Sequence, residues 1–280
     1  MKRLIRRIVY AVPGTQARWV AFNKALGREG HIEFSGWGMT TETTPPWQNG
    51  GDALACDFAR VHTEVVDRVA SGALMLSQLN DVQDKALRLQ ELMWRHYVVF
   101  WSASYAATAT ALPSTTLVEC GVCDGLTAHF AMRAAQRAGA FRAFLYDAWE
   151  GMKTEYLLTS EQHAAGSYAY LSIENTQRNL APFNGQTTFV KGFIPESFGS
   201  CDIPANVGWL HIDLNSALPT EAALEVLFDR VAAGGVILFD DYGWGGYADT
   251  KRTVDRFLNG RQGTLLPFPT GQAIFFKHKP

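Results

Sequence analysis

The sequence predicts an α/β fold, a doubly wound and mainly parallel sheet of seven strands that is preceded by a helical region. From Thr115 onward, short β-branched or aromatic runs alternate with amphipathic stretches, which is the pattern of repeated β-α units. A glycine-containing turn, residues 121–125, follows the first of these runs. Two short runs in the tail, separated by Pro267, Pro269 and Gly271, have no helix between them and are expected to pair as an antiparallel hairpin.

The boundaries of the elements follow from the apolar periodicity. Strands are expected near residues 115–120, 142–147, 186–191, 207–213 and 235–240, with two more in the tail. Helices are expected near residues 126–138, 160–181, 219–232 and 249–259.

The chain is predicted to divide where Leu112-Pro113 ends a helical region. Apolar residues recur at helical spacing in residues 52–71 and in about 80–110. Residues 29–51 are rich in Gly, Thr, Pro and Trp without regular periodicity, which indicates an ordered loop or lid. We therefore predict an N-terminal part with an arm, lid loop and helices, 1–111, and a ligand-binding α/β domain, 112–280.

Composition excludes several classes of protein. At 280 residues, of which 47% are hydrophobic, the chain can bury a sizeable core. The formal charge of −2 gives no general attraction to nucleic acid, and no apolar run approaches the ~20 residues of a membrane span. The four cysteines do not form a disulfide framework, and Cys120-x-x-Cys123 lacks the second ligand pair of a zinc site. We expect a cytoplasmic protein with no nucleic-acid partner and no membrane span.

The segment from Val118 to Phe130 is typical of a strand that enters a tight turn and then a helix. Gly121 and Gly125 allow a turn that Cβ atoms would obstruct, so backbone groups such as those of Val122 can approach a ligand at the helix N-terminus. Glu119, at the end of the strand, is placed to meet a cationic or polar ligand. A turn that serves only chain reversal is the alternative.

Carboxylates follow two further predicted strands. Asp213 ends one strand, and Asp240 and Asp241 end the next. Because the carboxyl ends of neighbouring parallel strands share one edge of a sheet, these side chains should converge beside the glycine turn. Three carboxylates suit Mg²⁺, although an adjacent Asp-Asp pair can also be a helix cap beside a solvated neighbour. His211 faces the same side of its strand as Asp213 and is expected to pack there or to hydrogen-bond a ligand residue.

Five motifs in this order resemble the class I S-adenosylmethionine-dependent methyltransferases: ECGVCDG, LYDAWEG, KGFIPESF, HIDLN and FDDYGW. Within that superfamily, residues 89–277 are most similar to the macrocin O-methyltransferase family of metal-dependent sugar and macrolide methyltransferases. The resemblance implies a Rossmann-like sheet of order 3-2-1-4-5-7-6, with S-adenosyl-L-methionine and Mg²⁺ as cofactors. It implies methyl transfer to a hydroxyl of a small-molecule acceptor, a sugar, glycoside or related secondary metabolite.

The resemblance also assigns the cofactor-binding residues. The glycine turn would bind the methionine part of the cofactor, and Asp213 would contact the cofactor as well as the metal. Asp147, which closes the second strand, would accept hydrogen bonds from the ribose hydroxyls, with a cap of the following turn as the alternative. Trp149 and Phe193 would flank the adenine, although aromatic residues at such positions are as often part of the core.

One position departs from the family. Relatives carry an acidic residue, interpreted as the general base, two positions after the first metal aspartate, whereas this chain has Asn215. An amide cannot take a proton at neutral pH. Asp213, Asn215 and His211 are our candidate catalytic residues, and other candidate bases are His31, Glu42, Lys191 and Lys251.

Three alternatives stay open from the sequence. The chain could be a metal-independent methyltransferase with another acceptor, a non-catalytic cofactor-binding scaffold, or a nicotinamide dehydrogenase. A dehydrogenase would leave the three aspartates unexplained.

Two segments carry aromatic residues that could form the walls of an acceptor site or make subunit contacts: YGWGGY, residues 242–247, and the Thr-rich loop, residues 36–47. We expect a homo-oligomer.

Overall fold

The structure, a computed structural model, describes residues 53–77, 85, 89 and 92–278. Its centre is a sheet of seven strands: β1 Thr115–Cys120, β2 Phe141–Asp147, β3 Thr187–Lys191, β4 Val207–Ile212, β5 Val231–Phe239, β6 Gly263–Pro267 and β7 Ala273–Lys277. Their order is β3-β2-β1-β4-β5-β7-β6, which confirms the predicted fold class and strand order.

The strand directions place one edge of the sheet at the carboxyl ends of β1 to β5. β1 pairs in parallel with β2 and β4, and the outer pairs β2–β3 and β4–β5 are parallel as well. β7 runs antiparallel to both β5 and β6, as the short hairpin in the tail requires. In this register Glu119 lies opposite His211 on the neighbouring strand.

Six helices surround this sheet in the described part of the chain: α1 Ala53–Ala70, α2 Met93–Ala109, α3 Leu126–Ala138, α4 Ile173–Asn179, α5 Ala217–Leu227 and α6 Ala248–Leu258. Apolar residues of α1, α2 and α3 form one core layer, in which Phe58, Phe100 and Phe130 lie with Trp209 of β4. Leu224 of α5 belongs to the second layer, on the opposite face of the sheet. Both faces are therefore covered, as expected for a doubly wound sheet.

The α1 and α2 helices belong to the same core as the sheet. The indole N–H of Trp209 donates to the hydroxyl of Ser102 on α2 at 2.9 Å, within the buried interior. Packing of this kind fixes α2 above β4 and beside the carboxyl edge of the sheet. The division into two parts at residue 112 stays a prediction.

The predicted helix 160–181 is wrong over most of its length. The chain forms a short 3₁₀ helix, Thr159–Ala164, then turns, and resumes as α4 at Ile173. Gly166 and Tyr168 have φ values of +79° and +69°, which a right-handed helix does not allow. The side chain of Ser172 caps the new helix by accepting the backbone N–H of Asn175 at 3.3 Å.

The predicted helix at 219–232 also ends early. The α5 helix stops at Leu227, a 3₁₀ turn follows, and β5 begins at Val231 rather than near residue 235. The N-terminal arm, the lid at residues 29–51 and most of residues 80–91 lie outside the described residues. No helix in the described ranges is long and apolar enough to cross a membrane.

Candidate functional site

A cavity of about 460 Å³ opens at the carboxyl edge of the parallel strands. Its wall is built from the turns that follow β1 to β5 and from the first part of α2: Arg95, Gly121, Val122, Asp147, Phe193, Asp213, Asn215, Asp240 and Asp241 are among the lining residues. The volume lies within the range of small-molecule sites. The strand order thus brings the glycine turn and the three aspartates together, as the sequence predicted.

The glycines of the turn are required by the protein's own packing. Gly121 has a φ of +87°, and a Cβ there would overlap the carbonyl oxygen of Asp213. Gly125 has a φ of +81°, and its Cβ would lie 2.9 Å from Cδ1 of Leu180 and 3.1 Å from Cγ2 of Thr176. Both positions combine a left-handed backbone with a close neighbour, so only glycine fits without a shift.

The carboxylate of Asp147 holds the turn in place. Its Oδ2 accepts the backbone N–H groups of Val122 at 2.7 Å and Cys123 at 2.8 Å, and its Oδ1 accepts that of Trp149 at 2.6 Å. Burial raises the pKa of Asp147, and the three amide donors oppose this shift. A carboxylate offers about four acceptor positions, so three amides leave about one for a ligand hydroxyl.

The two aromatic residues predicted beside the adenine have different surroundings. Trp149 is 3% exposed and belongs to the core, where its indole N–H donates to the hydroxyl of Thr176 at 2.9 Å. Phe193 lines the cavity and stacks on Tyr156, with ring centroids 4.8 Å apart. The ammonium of Lys153 lies 4.2 Å from the centroid of Phe193. Of the two, Phe193 is the one placed at the cavity wall.

Asp213, Asp240 and Asp241 form an acidic edge at the ends of β4 and β5. Glu119 and His211 form a buried pair behind this acidic edge. Oε1 of Glu119 and Nδ1 of His211 are 2.8 Å apart, and both side chains are almost fully buried. Burial, with the negative charges of Asp213 and Asp147, raises the pKa of Glu119, whereas burial lowers the pKa of His211 to about 4. Both shifts favour neutral partners. Oε1 of Glu119 therefore pairs with His211, whereas its Oε2 is buried without a hydrogen-bond partner among the described residues, and its contact with a ligand stays a prediction.

The three aspartates concentrate negative charge at the cavity wall. Asp240 and Asp241 are 1% and 6% exposed, and Oδ2 of Asp241 is buried without a hydrogen-bond partner among the described residues. Burial and the negative charge of Asp213 raise the pKa of Asp241 well above its ordinary value. Ligand atoms of His211, Asp213 and Asp240 lie within 4.8 Å of one another. This group contains His211 in place of Asp241 of the predicted trio, so the role of Asp241 as a ligand stays a prediction. The carboxylate oxygens of the group suit Mg²⁺.

Arg95 reaches the same carboxylates from α2. Its Nε donates to Oδ1 of Asp240 at 3.0 Å, its Nη2 pairs with Oδ2 of Asp240, and Nη2 is 4.0 Å from Oδ2 of Asp213. Arg95 is not among the site residues predicted from the sequence. A single arginine in an apolar helix has no spacing signal, because its partners lie more than 100 positions away along the chain.

Asn215 is held by two tyrosines. The hydroxyl of Tyr247 donates to its Oδ1 at 2.7 Å, that of Tyr168 does so at 3.3 Å, and its Nδ2 faces Oδ1 of Asp213 at 3.4 Å. Burial and the charges of Asp241 and Asp213 raise the pKa of Tyr247 to about 12. The phenol is therefore protonated at neutral pH and acts as a donor. The amide of Asn215 is fixed with its donor side toward Asp213.

Of the other candidate bases, the two that the structure describes, Lys191 and Lys251, are not among the residues that line the cavity. The ammonium of Lys251 pairs with Asp255 at 2.5 Å and donates to the hydroxyl of Tyr242 at 3.1 Å. Lys191 is exposed at the end of β3. His31 and Glu42 lie outside the described residues.

Comparison with known proteins agrees with this geometry. Residues 118–242 match the sequence model of a family described as a methyltransferase domain. The solved structure of the O-methyltransferase NovP is 20% identical, with 67% of this chain and 81% of that chain covered, at a TM-score of 0.58. CalS11, described as a calicheamicin methyltransferase, is 16% identical, with 76% and 91% covered, at a TM-score of 0.50. No curated protein sequence matches the chain significantly.

The family match and the fold together define a methyltransferase. The methyltransferase fold implies S-adenosyl-L-methionine as its cofactor.

Proposed function

We propose that the protein is an S-adenosylmethionine-dependent O-methyltransferase, assisted by Mg²⁺, that acts on a hydroxyl of a sugar, glycoside or related secondary metabolite. The observation that carries this proposal is the position of Asp213, Asp240 and Asp241 in the wall of the cavity that also contains the glycine turn. A cation site and a cofactor site then share one cavity, which is the arrangement that metal-assisted methyl transfer needs. NovP, one of the structural neighbours, is described as an O-methyltransferase.

The cofactor is assigned to the side of the cavity formed by the ends of β1 and β2. When bound, it supplies the methyl group as an electrophilic sulfonium. The remaining acceptor position of Asp147 suits one ribose hydroxyl, and Phe193 offers an aromatic edge or face at the wall. The carboxylates of Asp147 and Asp213 also provide negative charge beside a cationic ligand.

The metal is assigned to the ends of β4 and β5. Asp213, Asp240 and Asp241 would hold it, and His211 lies behind them with its Nε2 3.6 Å from Oδ1 of Asp240. When bound, Mg²⁺ would lower the pKa of an acceptor hydroxyl that is otherwise a poor nucleophile. Asn215, which accepts hydrogen bonds from Tyr168 and Tyr247, would orient the acceptor through its side-chain amide.

The acceptor is assigned to the side of the cavity near residues 244–247. Trp244 is 46% exposed, and both Trp244 and Tyr247 line the cavity close to the acidic edge. Exposed aromatic faces suit the apolar faces of sugar rings. The neighbour CalS11 is also described as a TDP-rhamnose 3′-O-methyltransferase.

A metal-independent methyltransferase is the second candidate, because Arg95 already supplies a positive charge to Asp240. Calorimetric titration with S-adenosylmethionine and with Mg²⁺ tests both ligand assignments, and methyl transfer to a panel of nucleotide sugars and glycosides tests the reaction. The first candidate requires cofactor binding, cation binding and cation-dependent transfer. Transfer that persists in chelator would favour the second candidate.

A further inference from the structure

Asp240 has both of its carboxylate oxygens engaged. Oδ1 accepts the Nε–H of Arg95 at 3.0 Å and the side-chain amide of Gln272 at 2.8 Å. Oδ2 pairs with Nη2 of the same guanidinium. These three contacts leave about one acceptor position, on Oδ2 beside the guanidinium. A metal ion bound there would lie against the positive charge of Arg95, so it binds tightly only when the guanidinium moves away.

Arg95 balances only part of the charge at this edge. One guanidinium faces Asp213 and Asp240, whereas Asp241 is 6% exposed and its Oδ2 has no hydrogen-bond partner within the described part of the chain. Three neighbouring carboxylates that share one guanidinium leave buried negative charge, which is unfavourable. The edge therefore has room for more positive charge than Arg95 provides.

The guanidinium is placed to move while its helix stays fixed. Arg95 is the third residue of α2, and its side chain is 20% exposed and lines the cavity. Val99 and Phe100, one turn further along, are fully buried in the core. The arginine stem has enough rotatable bonds for the charge to swing into the cavity without a shift of the backbone.

We infer that Arg95 is an internal competitor of the divalent cation for Asp240, so that Arg95 sets how tightly the site binds metal. This inference rests on the proposed function, because it needs a cation at the acidic edge. Two cations that share one ligand weaken each other's binding reciprocally. Without metal, Arg95 stabilises the buried carboxylate of Asp240, and with metal it is released.

The test is a calorimetric titration of Mg²⁺, with Mn²⁺ as a second probe, into the full chain. Arg95→Gln removes the charge, and it should tighten binding by about fivefold or more, the lower end of typical coupling between two ligands. Arg95→Lys keeps the charge but loses the bidentate contact with Asp240, so it should tighten Mg²⁺ binding less than Arg95→Gln does. The matched control is Arg133→Gln, an arginine that pairs with Glu64 at 2.8 Å away from the cavity and should leave the affinity unchanged.

Thermal unfolding gives a second readout that does not depend on activity. In chelator, Arg95→Gln should unfold at a lower temperature than the wild type, because it leaves the buried carboxylate of Asp240 without its counter-charge. Saturating Mg²⁺ should close most of that difference, since the metal takes over the charge of the guanidinium. A loss of stability that Mg²⁺ leaves unchanged would argue against competition.

The outcomes separate this inference from the proposed function. If the wild type binds Mg²⁺ and Arg95→Gln binds it equally or more weakly, the competition is wrong while the metal site stands. If no variant binds a divalent cation, the inference and the metal part of the proposed function both fail. If Arg95→Gln does not fold, Arg95→Lys decides: equal or weaker binding than the wild type overturns the inference.

Discussion

Oδ2 of Asp147 accepts the backbone N–H of Val122 at 2.7 Å, which ties the end of β2 to the glycine turn after β1. The same oxygen accepts the next amide, and Oδ1 accepts a third. The carboxylate predicted to bind ribose thus also holds the turn that we propose faces the cofactor. The two roles are compatible, because about one of its acceptor positions stays available.

Asp147→Ala should therefore affect stability as well as cofactor binding. Three buried amides lose their acceptor, and leaving even one of them unsatisfied costs ~1–3 kcal/mol. Urea unfolding should show a loss of at least about 2 kcal/mol, and calorimetry should show weaker S-adenosylmethionine binding. The control is Glu155→Ala, at an exposed carboxylate next to Tyr156, which lines the cavity. Full stability with lost cofactor affinity would mean that Asp147 serves the ligand and not the turn.

Gly121→Ala tests whether the turn depends on close packing. A Cβ at this position meets the carbonyl oxygen of Asp213, so the substitution should displace the start of the acidic edge and lower cofactor affinity. Gly72→Ala is the matched control: Gly72 has a similar φ of +76°, but no atom lies within 4 Å of the added Cβ. The control isolates backbone strain, of order 1–3 kcal/mol. Equal losses in both variants would show that close packing contributes nothing.

Asp241→Asn should change the pH dependence of stability in chelator. Because the pKa of Asp241 in the folded protein lies above that in the unfolded chain, its contribution to stability is full below the unfolded pKa and is lost as pH rises through the folded pKa. The variant should therefore gain stability relative to the wild type as pH rises. Thermal unfolding between pH 5 and 9, with Asp202→Asn as an exposed control, measures this difference; a difference independent of pH would contradict it.

Asn215→Ala should lower kcat/KM without moving the pH profile, because the amide orients the acceptor and does not change its protonation state. Asn215→Asp places a carboxylate where relatives have their proposed base. If proton removal limits the rate, that variant should be faster and gain an acidic limb in its pH–rate profile. A slower variant with an unchanged profile would show that other groups already handle the proton.

The sheet was accessible to sequence analysis because its signals are local. Each buried strand is a short run of apolar residues, and the carboxyl edge of a parallel sheet collects whatever follows those runs. These local signals predicted that Asp213, Asp240, Asp241 and the glycine turn lie together. The helix predicted at residues 160–181 is wrong, because left-handed residues interrupt the segment despite its apolar spacing.

The missing parts of the site depend on contacts between distant segments. Arg95 meets Asp240 across 145 positions, and Tyr247 meets Asn215 across 32. Neither pairing leaves a periodic trace in the sequence. The sequence also gives no sign that three backbone amides bind the Asp147 carboxylate. Its position at the end of a strand predicts only that it contacts a ligand.

Transfer of a radiolabelled methyl group from S-adenosylmethionine to nucleotide sugars and glycosides, in Mg²⁺ and in chelator, tests the central claim most directly. We predict labelled acceptor in the presence of Mg²⁺, and its loss both in chelator and in Asp213→Asn. The Asp213→Asn protein should still bind the cofactor, but more weakly, because it loses a negative charge beside the cationic sulfonium. Cofactor binding by the wild-type protein without transfer to any acceptor, or full transfer after exhaustive chelation, would contradict the account of a metal-assisted O-methyltransferase.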